Sequence, residues 1–141
     1  MENIEISTEK SLLDIPLIHR FLSEESYWAK GISRELVERA IENSFCFGVY
    51  SGDKQVGFAR VMTDFVTFAY LADVFVLPEF RGKGISKELI NFIKSYPELQ
   101  GLRRWLLATV DAHGLYKQFG FTPLSHPERF MEIRIENPYL S

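Results

Sequence analysis

Apolar positions recur with helical spacing in the first third of the chain. In residues 11–23 they fall at 12, 13, 15, 17, 18, 21 and 22, which predicts a helix with one buried face. Ser33 has the side chain of a helix N-cap, and residues 34–44 behind it predict a second helix. The alternating stretch NIEIS ahead of both predicts a first β-strand.

Apolar runs separated by turn signals follow the two predicted helices. SGDK lies between the first two runs and TDFVT between the next two. We therefore predict three consecutive antiparallel strands over about 45–50, 55–63 and 67–77. A helix over about 83–95 comes next, because its apolar residues return every three or four positions, and SYPELQG ends it.

The last third of the chain predicts two strands and a short helix. RRWLLATV, residues 103–110, has the continuous apolar character of a strand that is buried on both faces. AHGLYKQF predicts a short helix that Gly120 ends, and FMEIRIE, residues 130–136, predicts a last strand. The order β-α-α-β-β-β-α-β-α-β indicates one mixed α/β domain of the α+β type over residues 1–141, with a largely antiparallel central sheet flanked by helices.

Composition and charge narrow the class of protein. The 141 residues are 46% hydrophobic and carry a net charge of −3, which fits a soluble globular protein and argues against nucleic-acid binding. No apolar stretch is long enough to span a membrane, and the N-terminal residues lack the pattern of a secretory signal. The single Cys46 cannot form an internal disulfide. We therefore expect a cytoplasmic protein with no nucleic-acid, membrane or metal partner.

The stretch VLPEFRGKGIS has the features of an anion-binding loop. Gly82 and Gly84 remove side chains where backbone N–H groups converge, and the helix behind them offers unpaired N–H groups and a partial positive charge. Side chains that donate hydrogen bonds surround the glycines: Arg81, Lys83, Ser86 and Lys87. The alternative is a plain tight turn before a helix.

The order of elements and this loop resemble the GNAT superfamily of acyl-CoA-dependent N-acetyltransferases, and the resemblance spans nearly the whole chain. That family carries [QR]-x-x-G-x-[GA] after its fourth strand, which Arg81 and Gly84 match and from which Ser86 departs. It also often has a tyrosine four residues before the glycine of a GF pair, as Tyr116 stands before Gly120 here. Thr109 occupies the place of a frequent asparagine.

The resemblance implies acetyl-CoA as cosubstrate and assigns roles to residues of both motifs. The backbone near Phe75 and Val76 would lie along the pantetheine arm and stabilise the oxyanion, and Tyr116 would donate a proton to the leaving thiolate. The pyrophosphate would bind the loop that contains Arg81, Gly82, Lys83, Gly84, Ile85 and Ser86.

Three further residues are candidates for the acceptor side of the reaction. Asp73 interrupts the apolar run FAYLADVFV and is the first candidate for the general base, with His113 or a water as alternatives; it is equally a candidate for a solvent-facing carboxylate. Tyr27 and Trp28 lie between the first two helices, where aromatic rings could enclose a cationic amine or form a hydrophobic latch.

The function that these predictions favour is acetyl transfer to a primary amine of a small molecule. One alternative is a protein lysine or N-terminal acetyltransferase, which needs an open groove. Others are a non-catalytic CoA-binding sensor, with which the departures at Ser86 and Thr109 are compatible, and a nucleotide-phosphate binder. A homodimer is compatible with the family resemblance.

Overall fold

A single five-stranded sheet organises residues 3–139, the part of the chain that the computed structural model describes. The strands are β1 (Ile4–Ser7), β2 (Phe45–Ser51), β3 (Lys54–Thr63), β4 (Phe68–Val76) and β5 (Arg104–Leu106). Their order in the sheet follows the sequence; β1 to β4 pair antiparallel, and β5 pairs parallel to β4. The predicted fold class is confirmed.

Helices cover both faces of this sheet. They are α1 (Ile15–Arg20), α2 (Arg34–Glu42), α3 (Ile85–Lys94) and α4 (His113–Lys117). Side chains alternate between the faces of a strand, so β3 sends Phe58 to the core under α1 and α2 and Ala59 to the core under α3. Within the described residues, no helix combines the length and the apolar character needed to cross a membrane.

The first predicted helix is interrupted near its start. A 3₁₀ turn over Lys10–Leu12 precedes α1, and a π-helical turn over Phe21–Glu25 continues it. Asp14 caps α1 by accepting a hydrogen bond from the Leu17 N–H at 3.1 Å. Pro16 lies in the first turn and lacks the N–H that a continuous helix from residue 11 would need. The Ser33 prediction is confirmed, since its Oγ accepts from the Leu36 N–H at 3.2 Å.

The prediction of one strand over 103–110, buried on both faces, is wrong in its length and in its burial. Only Arg104–Leu106 pair with β4, Arg104 is exposed and the other two residues are half-buried. Beyond Leu106 the chain diverges from β4, so its backbone groups no longer join the sheet. This divergence creates the cleft described below.

The predicted last strand, residues 130–136, does not form within the described chain. Its apolar residues are almost fully exposed: Met131 is 97%, Ile133 101% and Ile135 71% exposed. A β-strand exists only where a neighbouring strand accepts its backbone hydrogen bonds, and this segment lies against none in the protomer. The alternating pattern is present, but the partner is absent.

Candidate active site

A cleft opens where β4 and β5 diverge. The two strands pair from Phe68 to Tyr70 and from Arg104 to Leu106, and beyond this point the space between them is about 310 Å³. Residues of β4, of the loop after β5, of α4 and of the α1–α2 connection line it: Tyr27, Trp28, Tyr70, Leu71, Ala72, Asp73, Val74, Leu107, Ala108, Thr109, Val110, Asp111, Ala112 and Tyr116. The cleft brings together the predicted acceptor and catalytic residues.

A β-bulge places Asp73 at this cleft. Phe75 pairs with Phe58 and Ala72 with Arg60, so two residues of β4 stand opposite one residue of β3. Asp73 has a φ of 54°, a left-handed backbone that aspartate adopts more readily than bulky residues. Strained backbone of this kind collects at functional sites.

The Asp73 carboxylate is engaged on both oxygens. Its Oδ1 accepts a hydrogen bond from Trp28 Nε1 at 2.7 Å, and its Oδ2 accepts one from Arg60 Nε at 2.9 Å. The Asp73 and Arg60 side chains are 10% and 17% exposed, and Arg60 also donates to Ser44 Oγ at 3.1 Å. The role of Asp73 as general base stays a prediction, since a proton acceptor here must first release one of these donors.

Tyr27 and Trp28 connect the two walls of the cleft. Trp28 is held to β4 through Asp73, whereas Tyr27 Oη accepts a hydrogen bond from the Val110 N–H, in the loop after β5, at 2.9 Å. Their rings meet edge to face with centroids 5.0 Å apart, and both remain partly exposed. The two aromatic residues therefore form one side of the cleft, and the acceptor-binding role predicted for them remains a prediction.

Tyr116 lies between the cleft and a second groove. It borders the cleft on one side and, on the other, a space of about 430 Å³ between the residues after β5 and α4. Burial, with smaller contributions from Tyr27 and Asp111, raises the pKa of its phenol to about 12. Tyr116 is therefore protonated at neutral pH and carries a transferable proton. His113, the alternative base, is exposed in the second groove and does not line the cleft.

The predicted anion loop forms a cradle at the start of α3. Gly82 and Gly84 have φ values of 77° and 81°, which β-carbon-bearing residues rarely adopt. The amides of residues 82–84 donate to no other group of the described chain, and no side chain caps the first turn of α3. A pocket of about 190 Å³ faces the loop, and Val76 and Leu115 reach it from β4 and α4.

The other residues predicted to bind the cofactor surround this cradle in different ways. Arg81 Nε donates to the Val76 carbonyl at 3.0 Å, which fastens the loop to the end of β4. Ile85 is buried, Ser86 is half-buried and Lys83 lies over the Phe80 ring at 5.2 Å. These residues all lie beside the cradle. That they donate hydrogen bonds to a bound cofactor stays a prediction.

The side chains of Phe75 and Val76 pack into opposite cores of the sheet, and Val76 also borders the pocket at the cradle. Phe75 packs into the core under α1 and stacks on Phe21 with a centroid distance of 4.0 Å, while Val76 packs into the opposite core. Beyond the three paired residues, no strand of the described chain pairs with the β5-facing edge of β4. The geometry is compatible with the backbone contacts expected for both residues.

Sequence reasoning missed two polar residues of the site. Arg60 interrupts the apolar run GFARVM, and a cation within such a run could have indicated an acidic partner; both residues are half-buried in the structure. Asp111 lines the cleft, and no local pattern distinguishes it from an ordinary loop aspartate. Among the described residues, no group of three or more His, Cys, Asp or Glu side chains could hold a metal ion.

The fourth and fifth strands of this mixed sheet diverge beside a glycine-rich cradle and a buried tyrosine. This arrangement defines an acyl-CoA-dependent acyltransferase. The chain belongs to the GNAT acetyltransferase family, whose acetyltransferase (GNAT) domain matches residues 42–123.

Individual proteins similar to this chain carry names consistent with this family. A Gibberella zeae protein named as an acetyltransferase is 33% identical over 133 residues, which cover 79% of this chain and 74% of that protein. The crystal structure of a GNAT-family protein from Xanthomonas campestris pv. campestris has a TM-score of 0.97 and 54% identity, covering 100% of this chain and 99% of that one. Mouse thialysine N-epsilon-acetyltransferase is 32% identical over 71 residues, 48% of this chain and 42% of that enzyme.

Proposed function

We propose that this chain transfers an acetyl group from acetyl-CoA to the primary amine of a small molecule. The observation that carries the proposal is the position of α4 between the cradle and the cleft. Leu115 borders the cradle, and the next residue, Tyr116, borders the cleft. A donor bound by its phosphates at the cradle therefore has a short path along β4 to the Tyr116 hydroxyl.

The groups around the cradle suit the pyrophosphate of coenzyme A. The free amides of residues 82–84 and the N-terminus of α3 favour an anion, and Arg81, Lys83 and Lys87 add positive charge. The unpaired edge of β4 offers backbone N–H and C=O groups to the amides of the pantetheine arm, as an added strand would. The cradle thus suits the charged part of acetyl-CoA, and the edge of β4 suits its amide groups.

Transfer proceeds by direct attack. The amine nitrogen bonds to the thioester carbon, and a backbone N–H near Phe75 or Val76 stabilises the resulting oxyanion. The carbonyl then re-forms as the carbon–sulfur bond breaks, and the thiolate takes the proton of Tyr116 Oη. The proton that the nitrogen loses as the amide forms restores the phenol of Tyr116. A thiol in water has a pKa of about 8.5, and burial of the sulfur raises this pKa. Burial therefore brings the sulfur closer to the Tyr116 pKa of about 12.

The acceptor side of the cleft favours a cation. Asp111 supplies negative charge, whereas the charge of Asp73 is balanced by Arg60, and the faces of Tyr27 and Trp28 attract an ammonium group. A lysine-like amine with a pKa of about 10.4 must lose a proton before it attacks. Asp73 is the proposed base, and it accepts that proton once the bound amine replaces the hydrogen bond from Trp28; a water in the cleft is the alternative.

The size of the cleft supports a small acceptor. A volume of about 310 Å³ is at the lower end for small-molecule pockets. The hydrogen bond between Tyr27 and Val110 closes one side of the cleft, which a polypeptide acceptor would need open. The mouse relative is named for acetylating the ε-nitrogen of thialysine, which makes terminal amines of this kind the first acceptors to test.

The test is thiol release from acetyl-CoA with a panel of acceptors. We expect turnover with small diamines, lysine and thialysine, and none with peptides that carry a free N-terminus or an internal lysine. Turnover on peptides alone would support the protein acetyltransferase instead. If acetyl-CoA raises the melting temperature but no amine releases thiol, the chain is a CoA-binding sensor and the proposal is wrong.

A further inference from the structure

A groove beneath α2 shares part of its wall with the cleft and takes no part in the reaction described above. It has a volume of about 410 Å³, within the range of small-molecule pockets. Four residues border both spaces: Trp28, Tyr70, Ala72 and Asp73. A molecule whose body occupies the groove can therefore place one end at Asp73, where the cleft begins.

The walls of this groove are mostly apolar. Side chains from the first two helical regions and from β3 line it, among them Ile18, Leu22, Val37, Ile41, Phe58 and Met62. Among the described residues that border the groove, only Arg60 and Asp73 carry charge. Transfer of apolar surface from water into such a space is favourable. The groove therefore favours a ligand with an apolar body and with its charges confined to one end.

The charged end of the groove has a hydrogen-bond donor that the protein does not use. Arg60 donates from Nε to Asp73 Oδ2 at 2.9 Å and from Nη1 to Ser44 Oγ at 3.1 Å. Its third nitrogen, Nη2, donates to no group of the described chain. Because a guanidinium group binds carboxylates through its N–H groups, Nη2 can bind a carboxylate that enters from the groove.

We propose that the acceptor is an α-amino acid with a large apolar side chain, such as phenylalanine or leucine; this inference rests on the proposed acetyl transfer. The apolar side chain occupies the groove, the carboxylate binds Arg60 Nη2, and the amine displaces Trp28 Nε1 from Asp73 Oδ1. An amino acid carries its amine and its carboxylate on one carbon, so the two groups can meet the adjacent charges of Asp73 and Arg60 together.

The charges at this end of the groove favour a zwitterion over a plain amine. Arg60 and Asp73 neutralise each other, so an amine alone brings an unbalanced positive charge to a half-buried pair. A zwitterion brings no net charge and gives each member of the pair a second partner. The N-terminus of a peptide lacks the free α-carboxylate and cannot bind in this way. Transfer yields the N-acetylamino acid, free coenzyme A and one proton, since the carbon–nitrogen bond forms as the carbon–sulfur bond breaks.

Thiol release with matched acceptors tests this inference. Phenylethylamine lacks only the carboxylate of phenylalanine, and alanine lacks only its ring. We expect kcat/KM for phenylalanine to exceed that for each of these two acceptors by at least about 10-fold, because each lacks one of the two contacts. Small diamines should also be poorer acceptors than phenylalanine.

Three variants assign the contacts to residues. Ala40 lines the groove, and Ala40→Leu fills part of it, so KM for phenylalanine should rise by about 10-fold more than KM for alanine. Arg39→Leu, at the preceding position of α2 and outside the groove, should change neither KM. Arg60→Lys keeps the charge but loses the planar set of donors, so KM for phenylalanine should rise by about 10-fold more than KM for phenylethylamine. An unchanged circular dichroism spectrum checks that each variant folds.

The outcomes distinguish this inference from the proposed function. If phenylethylamine or diamines are acetylated with a kcat/KM equal to or above that of phenylalanine, acetyl transfer stands and the amino acid acceptor is overturned. Equal changes of KM in Ala40→Leu and Arg39→Leu also overturn it, as does an Arg60→Lys change that affects phenylalanine and phenylethylamine alike. Absence of thiol release with every acceptor overturns both proposals.

Discussion

Replacing Asp73 with asparagine tests how the active-site bulge is held. Asparagine keeps the shape of the side chain and, like aspartate, tolerates the left-handed backbone that Asp73 adopts at φ 54°. It removes the negative charge and replaces one of the two acceptor oxygens with an NH₂ donor, so only one of Trp28 Nε1 and Arg60 Nε keeps its acceptor. Alanine at the same position removes the charge, both hydrogen bonds and the tolerance for this backbone.

The expected loss follows from the burial of the ion pair. Removing one partner of a buried pair costs about 3–5 kcal/mol, whereas an exposed pair is worth about 0–1 kcal/mol. The two side chains are 10% and 17% exposed, close to the buried case. Because asparagine still accepts a hydrogen bond worth about 1 kcal/mol, we expect Asp73→Asn to lower the free energy of unfolding by about 2–4 kcal/mol. Asp73→Ala should lose about 1–2 kcal/mol more.

Urea unfolding followed by circular dichroism measures both losses. Adding Arg60→Gln to Asp73→Asn should cost much less than the two single losses together, since the charge left unpaired by one change is removed by the other. Additive losses would refute the ion pair as the source of the stability. An Asp73→Ala variant as stable as Asp73→Asn would refute the argument from the backbone.

Kinetics of the same variants distinguish a base from a residue that positions Trp28. If Asp73 accepts the amine proton, Asp73→Asn should lower kcat by about 10²–10⁴-fold. If it only orients the indole, KM for the amine should rise instead, and Trp28→Phe, which lacks the N–H that Asp73 accepts, should reproduce that rise. Equal kinetics of all three proteins would exclude both roles.

Three further predictions concern Tyr116, Gly84 and Cys46. Tyr116→Phe should lower kcat by about 10²-fold or more. Since the pKa of Tyr116 is about 12, the wild-type rate should not fall below about pH 10 through ionisation of this residue. A fall in rate near pH 10 that Tyr116→Phe abolishes would contradict this. Gly84→Ala should weaken acetyl-CoA binding by about 10-fold in calorimetry. The control Gly101→Ala, at a similar φ of 77° outside the cradle, should lower stability by a similar amount and leave binding unchanged. Equal losses of binding in the two variants would contradict the role of the cradle in holding acetyl-CoA. Folding raises the Cys46 pKa from 9.0 to about 11, so the protonated thiol contributes fully to the free energy of unfolding below pH 9, and this contribution is lost as pH rises through 11. By pH 10.5 the free energy of unfolding of the wild type should fall by about 2 kcal/mol more than that of Cys46→Ala. Parallel curves of stability against pH for the two proteins would contradict this.

The parts of the site that sequence could predict are those that depend on local chemistry. The cradle at Gly82 and Gly84 follows from glycines ahead of a helix, and the Ser33 cap follows from a side chain three residues from its donor. Tyr116 and Asp73 were found through a motif and an interrupted apolar run. In each case the decisive signal lies within a few residues of the feature.

What sequence could not predict depends on partners far along the chain. Arg60 meets Asp73 because of the register between β3 and β4, and that register includes a bulge that no local pattern marks. The RRWLLATV run was expected to be one buried strand, yet only Arg104–Leu106 have a neighbour to pair with. Apolar character sets the tendency to form a strand, whereas the position of the neighbouring strand sets its length.

The divergence of β4 from β5 leaves room for the cleft. A parallel partner that continued to residue 110 would fill the β4 edge that the pantetheine arm is proposed to pair with, so a short β5 is a condition for the site. The same shortness leaves β5 three residues long at the end of the sheet, where one neighbour holds it weakly. Opening the sheet for a donor therefore leaves β5 without the pairing that a longer strand would have with β4.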